Sequence, residues 1–296
     1  MYKMIFILAT VLCNQLFAQA PAAKPSVIYG KSHIDTLRSE PHNQWFTAGY
    51  DSYIPDHETV NRISKQLNKD ISVEIFFGSW CGDSKREVPR FIKLADALHI
   101  PQAKLVLIGL GSSDSLYKQS PDHEEAGKGI FRVPTFIFYN KGKEIARINE
   151  FPVNSLEKDV LAILEGNKYE PNYRTFATVK SWMDNGALED ENISPSGLAG
   201  QLLGKVKNEH ELNSLGYLLL AQGRKKEALR IFQTNFYLFP ESANVLSSLG
   251  EGYLENKDSK KAVTYLERSL ALNQDPGSVT GILSVLYKAW LQAGSR

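Results

Sequence analysis

Hydrophobic and polar positions along the chain fall into segments with distinct periods. Residues 71–77 form an apolar run rich in β-branched and aromatic side chains, which predicts a strand. Ahead of it, Val60, Ile63 and Leu67 recur at helical spacing behind Asp56, a predicted N-cap. Behind it, Val88, Phe91, Ile92, Ala95 and Leu98 mark one face of a helix ending near His99, with Pro89 inside, where a proline kinks a helix. Residues 104–110 predict a buried strand and 111–129 a polar loop. The segments 135–139 and 144–148 predict two strands joined by Asn140-Lys141-Gly142-Lys143, a hairpin signal. An amphipathic helix over 154–164 closes this region, with Leu156, Val160, Ile163 and Leu164 apolar. Residues 21–55 have no clear period and predict a short linker and an N-terminal extension whose aromatics, Trp45, Phe46, Tyr50 and Tyr53, pack on the domain.

Beyond residue 166 only helical periods remain. Residues 172–184 place Phe176, Val179 and Trp182 or Met183 in line and stop at Asn185-Gly186, and Ser194-Pro195 opens a second helix through Leu198, Leu202 and Val206. From residue 209 the pattern repeats at a period of 34. Leu212, Leu215-Gly216, Ala228, Phe232 and Pro240 correspond to Leu246, Leu249-Gly250, Ala262, Leu266 and, near the end, Pro276. This spacing resembles the tetratricopeptide (TPR) repeat, and the resemblance implies antiparallel helix pairs brought close by the glycine and alanine. Helices are predicted over 209–222, 225–238, 243–255 and 259–272, in repeats 209–242 and 243–276, followed by a capping helix over 278–292. Tyr253 holds the family's aromatic position and Leu219 replaces it in the first copy.

A length of 296 residues leaves room for about two domains. The pattern gives an α/β domain over 56–166, with a mixed central sheet flanked by helices, then a helical transition over 167–208 and an all-α repeat domain over 209–296. Balanced charge, with 34 basic and 33 acidic residues, gives no reason to expect nucleic acid as a partner. The first 20 residues read as a secretory signal peptide: Lys3 supplies the positive end, Ile5 to Leu12 the apolar stretch, and Ala18-Gln19-Ala20 a small-residue cleavage site. Its apolar run is well short of the roughly 20 residues that span a bilayer. Cleavage after Ala18 or Ala20 would leave no membrane span and would remove Cys13. The expectation is an exported protein, of the periplasm or the extracellular space, with Cys81 as its one thiol. An odd thiol in such a compartment points to a reactive group or an intermolecular pair.

Cys81 stands at the junction between the predicted strand 71–77 and the helix that follows, where backbone N–H groups and the helix macrodipole stabilise a thiolate. Lys85 and Arg86 in the first turn have two readings, holding an anion there or lying as solvated surface charge. The run Phe76-Phe77-Gly78-Ser79-Trp80-Cys81-Gly82-Asp83-Ser84, with Val88-Pro89 and the later Val133-Pro134-Thr135-Phe136, resembles the thioredoxin-like fold, in particular TlpA-type envelope thiol-disulfide oxidoreductases. The likeness covers roughly 56–166. It implies Cys81 as nucleophile, Pro134 as a cis proline against it, and the Val133 backbone as the edge that pairs with an extended substrate strand. Trp80, Gly82, Asp83, Val133 and Thr135 would then border the substrate.

Two departures from the family bear on chemistry. Ser84 occupies the place of the resolving cysteine, so a mixed disulfide at Cys81 would persist until an outside thiol attacked it. Ile75 occupies the place of the family's buried acid, while Glu74 faces the other side of the strand, which leaves water or Asp83 for proton transfer. A peroxidase reading fails because Gly78 stands where that class needs a hydroxyl. Trp80 and the export signal argue against a monothiol glutaredoxin. The glycines of Gly109-Leu110-Gly111 and Gly127-Lys128-Gly129 lack the spacing of nucleotide-binding loops. No histidine pairs with another histidine or a cysteine at metal-ligand spacing, and His123, among Asp122, Glu124 and Glu125, reads as part of a solvated loop. No metal or cofactor is expected. Two readings of function follow: a thiol-disulfide exchange protein, possible as oxidoreductase or isomerase, whose repeats recruit protein clients that form mixed disulfides with Cys81, and a non-catalytic adaptor in which the thiol is redox-silent.

Overall fold

The computed structural model describes residues 26–294 apart from 114, 115 and 274; the signal segment with Cys13 and its cleavage site lies outside them. A five-stranded sheet forms the first region, in the order β1-β3-β2-β4-β5. Its strands are β1 (Gly30–Ser32), β2 (Ile71–Phe77), β3 (Leu105–Gly109), β4 (Thr135–Asn140) and β5 (Lys143–Asn149). Only β2 and β3 run parallel, joined through helix α4 (Gly82–Ala97) as a parallel pair requires. Helices α1 (Ile34–Arg38), α2 (Asn43–Ser52) and α3 (His57–Gln66) precede β2, and α5 (Leu156–Leu164) follows β5.

Alternation along β2 splits the core between the two faces of the sheet. Val73, Ile75 and Phe77 join Val88, Phe91, Ile92 and Val160, while Phe76 joins Ile108, Leu110, Ile130, Val133 and Ile137. Ile75 is fully buried; Glu74, half-buried on the opposite face, accepts from Lys128 Nζ at 2.6 Å and Tyr139 Oη at 2.8 Å. Asp56 caps α3 by accepting from the Thr59 N–H. The β4–β5 turn has two residues, Lys141 and Gly142, both left-handed (φ 51° and 76°), the conformation that fits the twist of a two-residue hairpin. Pro89 sits inside α4 and packs on Gly49 of α2, where an added Cβ would come within 2.8 Å of the proline ring.

Two segments differ from expectation. The N-terminal extension contains β1, α1 and α2, and β1 extends the sheet by pairing with β3. Three residues are too short a run to display alternation, so the sequence carried no sign of this strand. Phe46 is buried there, with Trp45, Tyr50 and Tyr53 against the same core. The segment 111–129 is not a solvated loop throughout. Lys118, Gln119, Ser120 and Glu125 are buried, because the chain folds back so that Glu125 accepts from Ser120 N–H at 3.0 Å and Ser120 Oγ at 2.6 Å; His123 remains exposed.

The second region is helical: α6 (Phe176–Asp184), α7 (Pro195–Leu202), α8 (His210–Ala221), α9 (Lys225–Leu238), α10 (Ala243–Glu255), α11 (Ser259–Leu272) and α12 (Pro276–Gly294). Val206 lies beyond the end of α7. Equivalent glycines 34 residues apart set the packing. Gly216 lies against the Phe232 ring and Gly250 against Leu266, with no room for a Cβ at either place, and Ala228 and Ala262 are fully buried. The two regions meet along a seam. Phe131 stacks on Phe176 with centroids 5.1 Å apart, and the Asn149 and Asn172 side-chain amides donate to Asn172 O and Phe151 O. An apolar cavity of about 380 Å³ remains beside that stack.

Candidate functional site

The turn that carries the thiol is fixed by its own backbone. Cys81 N–H donates to Gly78 O at 2.9 Å, and Cys81, in extended conformation, is the N-cap of α4 without capping it through its side chain. Trp80 folds over Gly78 and donates through Nε1 to Leu110 O at 2.9 Å, the bare glycine leaving space for the indole. Ser84 is fully buried and its Oγ accepts from the Gly78 N–H at 3.1 Å. The hydroxyl therefore holds the turn closed. Gly82 opens the helix as an exposed residue, and Asp83 pairs with Arg86 at 2.7 Å. Arg86 also bonds buried Glu87 at 2.6 Å, an interaction that raises the Arg86 pKa. Its guanidinium is thus engaged by two carboxylates, which leaves the anion-holding reading of Arg86 without support.

Across the turn, the Val133–Pro134 peptide bond is cis. Val133 O lies 3.3 Å from Cys81 Sγ, the half-buried free thiol of the described residues. The thiol S–H can donate to that carbonyl. Thr135 begins β4 with its hydroxyl donating to Arg132 O at 2.7 Å. Cys81 and the Val133–Pro134 segment thus come together, while the Ser84 and Thr135 hydroxyls are committed to backbone partners.

Charged residues that the motifs did not single out surround this pair. Lys118, 5% exposed, donates from Nζ to Phe131 O at 2.9 Å and lies 4.7 Å from the centroid of the Tyr117 ring, which in turn faces Trp80 at 6.2 Å. Burial and then the charge of Arg132 pull Lys118 down to about 8; Glu150 and Cys81 act the other way. Arg132 pairs with Glu150 at 3.2 Å and donates to His210 O at the start of α8 at 2.7 Å. Burial raises the Glu150 carboxyl above its ordinary value, opposed mainly by Arg132. Arg132 adjoins Val133-Pro134 in sequence, and that adjacency could have flagged it. A lysine in a polar loop offers no comparable sign of burial.

Tyr117 also borders a groove of about 770 Å³ along α8, α10 and α12, with Asn213, Tyr217, Asn244, Glu251 and Lys288 in its walls. Tyr217 Oη lies 3.1 Å from Glu251, whose carboxyl burial shifts upward. Among the described residues no cluster of three or more metal-ligating side chains occurs, and no helix is long and apolar enough to cross a membrane.

Comparison with known proteins bears on the family of the chain. No family model matches the chain, and no solved structure matches it. The chain is 31% identical over 112 residues to the thioredoxin-like protein R548 of Acanthamoeba polyphaga mimivirus, a match covering 72% of that protein and 35% of this chain. The likeness thus leaves most of this chain unmatched. With the mixed sheet, its flanking helices and the thiol beside a cis proline, it identifies the chain as belonging to the thioredoxin-like family.

Proposed function

We propose that the protein is an exported thiol-disulfide exchange protein of the TlpA type, acting through Cys81, whose helical region is a TPR domain that recruits protein clients. The observation that carries the reading is the half-buried Cys81 Sγ 3.3 Å from the carbonyl that precedes cis Pro134. In the forward step the Cys81 thiolate attacks one sulfur of a client disulfide. A Cys81–client disulfide forms, the client's own S–S bond breaks, and its other sulfur leaves as a thiolate. With Ser84 buried and bonded to Gly78, release falls to an outside thiolate that attacks the client sulfur of the mixed disulfide and returns Cys81 as a thiolate. Arg132 and Lys118 place positive charge in the surroundings of that sulfur. Residues 1–20 support export as a signal peptide, with the periplasm as the destination; the groove bordered by Tyr117 supports client recruitment next to the thiol.

Acid-quenched thiol trapping in the native cells tests this. Mixed-disulfide bands are expected on non-reducing gels for the wild type and not for Cys81→Ser. A free Cys81 under both resting and oxidising conditions would sink the exchange reading. It would favour instead a non-catalytic adaptor in which the thiol is redox-silent.

A further inference from the structure

Helix α12 packs on α11 and α10 and buries Ile282, Leu286 and Ala289. Here the outward positions Thr280, Ser284, Tyr287, Leu291 and Gly294 follow one another at intervals of four and three residues, flanked by Leu283 and Trp290. Leu283 is 47%, Tyr287 61%, Trp290 49% and Leu291 57% exposed. Intervals of four and three are the spacing by which one helix meets another along a seam. The single charged residue of α12 is Lys288, which lines the groove with Glu251 and Glu255 and is not part of the stripe.

We propose that this face of α12 binds the same face of a second copy of the chain, forming a two-fold symmetric dimer. The uncharged stripe argues for that occupant. Two identical faces bring no like charges together, and a chain of net charge +1 meets its copy without long-range repulsion. An anionic membrane surface would call instead for lysines and arginines along the helix, which the stripe lacks. Four large side chains exposed to this degree offer roughly 400 Å² per protomer, and the flanking small residues bring the pair to about 1,000 Å² in total, the lower range of a specific interface.

Sedimentation of the full-length mature protein tests the proposal. The wild type is expected at twice the monomer mass in the micromolar range, and Tyr287→Glu and Leu291→Glu at the monomer mass with unchanged helical circular dichroism. In a Cys81→Ser background, Tyr287→Cys is expected to form an intermolecular disulfide on mild oxidation, which decides the matter should a glutamate variant unfold. A wild type that sediments as a monomer, a dimer that survives both glutamate variants, or a Tyr287→Cys protein that remains uncrosslinked would overturn the proposal.

Discussion

Asp159 and Lys118 are charged side chains buried in the same domain, and they are held in opposite ways. Asp159, fully buried, accepts from Val153 N–H, Asn154 N–H, Asn154 Nδ2 and Tyr169 Oη, with distances of 2.6–3.2 Å. Every donor lies in the segments flanking or opening α5, so the carboxylate ties that corner together. Among the described residues, Lys118 has one carbonyl partner for three N–H bonds, a neighbouring guanidinium that repels it, and a left-handed backbone (φ 54°). A satisfied buried charge supports a fold; an undersatisfied one costs stability and persists where chemistry uses it.

Substitution at the two positions should therefore have opposite signs. Asp159→Ala strips the acceptor from four donors and is expected to lower stability by about 3–5 kcal/mol in urea unfolding. Lys118→Met should be neutral or stabilising at pH 7, because the amine's shift from 10.5 to about 8 represents a penalty on the order of 3 kcal/mol, offset in part by the orphaned Phe131 carbonyl. The sign can be checked against pH. The folded protein releases the lysine proton near 8 and the unfolded chain near 10.5, so the penalty is complete below 8 and fades as pH rises through that window. Wild-type stability should accordingly gain across pH 8–10.5 relative to Lys118→Met; parallel curves would refute the comparison.

Smaller effects would sharpen the contrast at the thiol turn itself. Ser84→Ala removes the acceptor of a buried backbone N–H and should cost about 1–2 kcal/mol while leaving the thiol in place. Loss of the Lys118 charge should slow iodoacetamide alkylation of Cys81 a few-fold at neutral pH, and Lys118→Arg should restore part of the rate. Equal rates in all three proteins would make Lys118 a structural residue with no influence on the sulfur.

The same contrast explains how much was legible in the sequence. The helix pairs could be placed to within a residue or so because Gly216 and Gly250 meet Phe232 and Leu266 through contacts local in sequence, repeated at a fixed interval. The strand-to-helix junction at Cys81 and the pairing of β4 with β5 were likewise written in short motifs. What escaped was whatever depends on distant partners. Strand β1 exists because β3, far along the chain, offers it an edge, and Lys118 is buried because Phe131 and Tyr117 close over it. Arg86, beside the cysteine in sequence, turned to Asp83 and Glu87, while Arg132, remote from the cysteine in sequence, lies in its surroundings.

The two margins of the sheet are guarded unequally. Strand β5 exposes the charged Lys143 and Glu144 at its first two positions, which guard that end against another chain's backbone. Strand β3 reads Leu-Val-Leu-Ile-Gly, without a charge, and its outer side is screened by the three residues of β1. Removing β1 would uncover an apolar, hydrogen-bond-hungry border, and the consequence to expect is fibrillar or amorphous self-association more than simple unfolding. The short strand near the start of the described chain thus serves the solubility of the whole molecule.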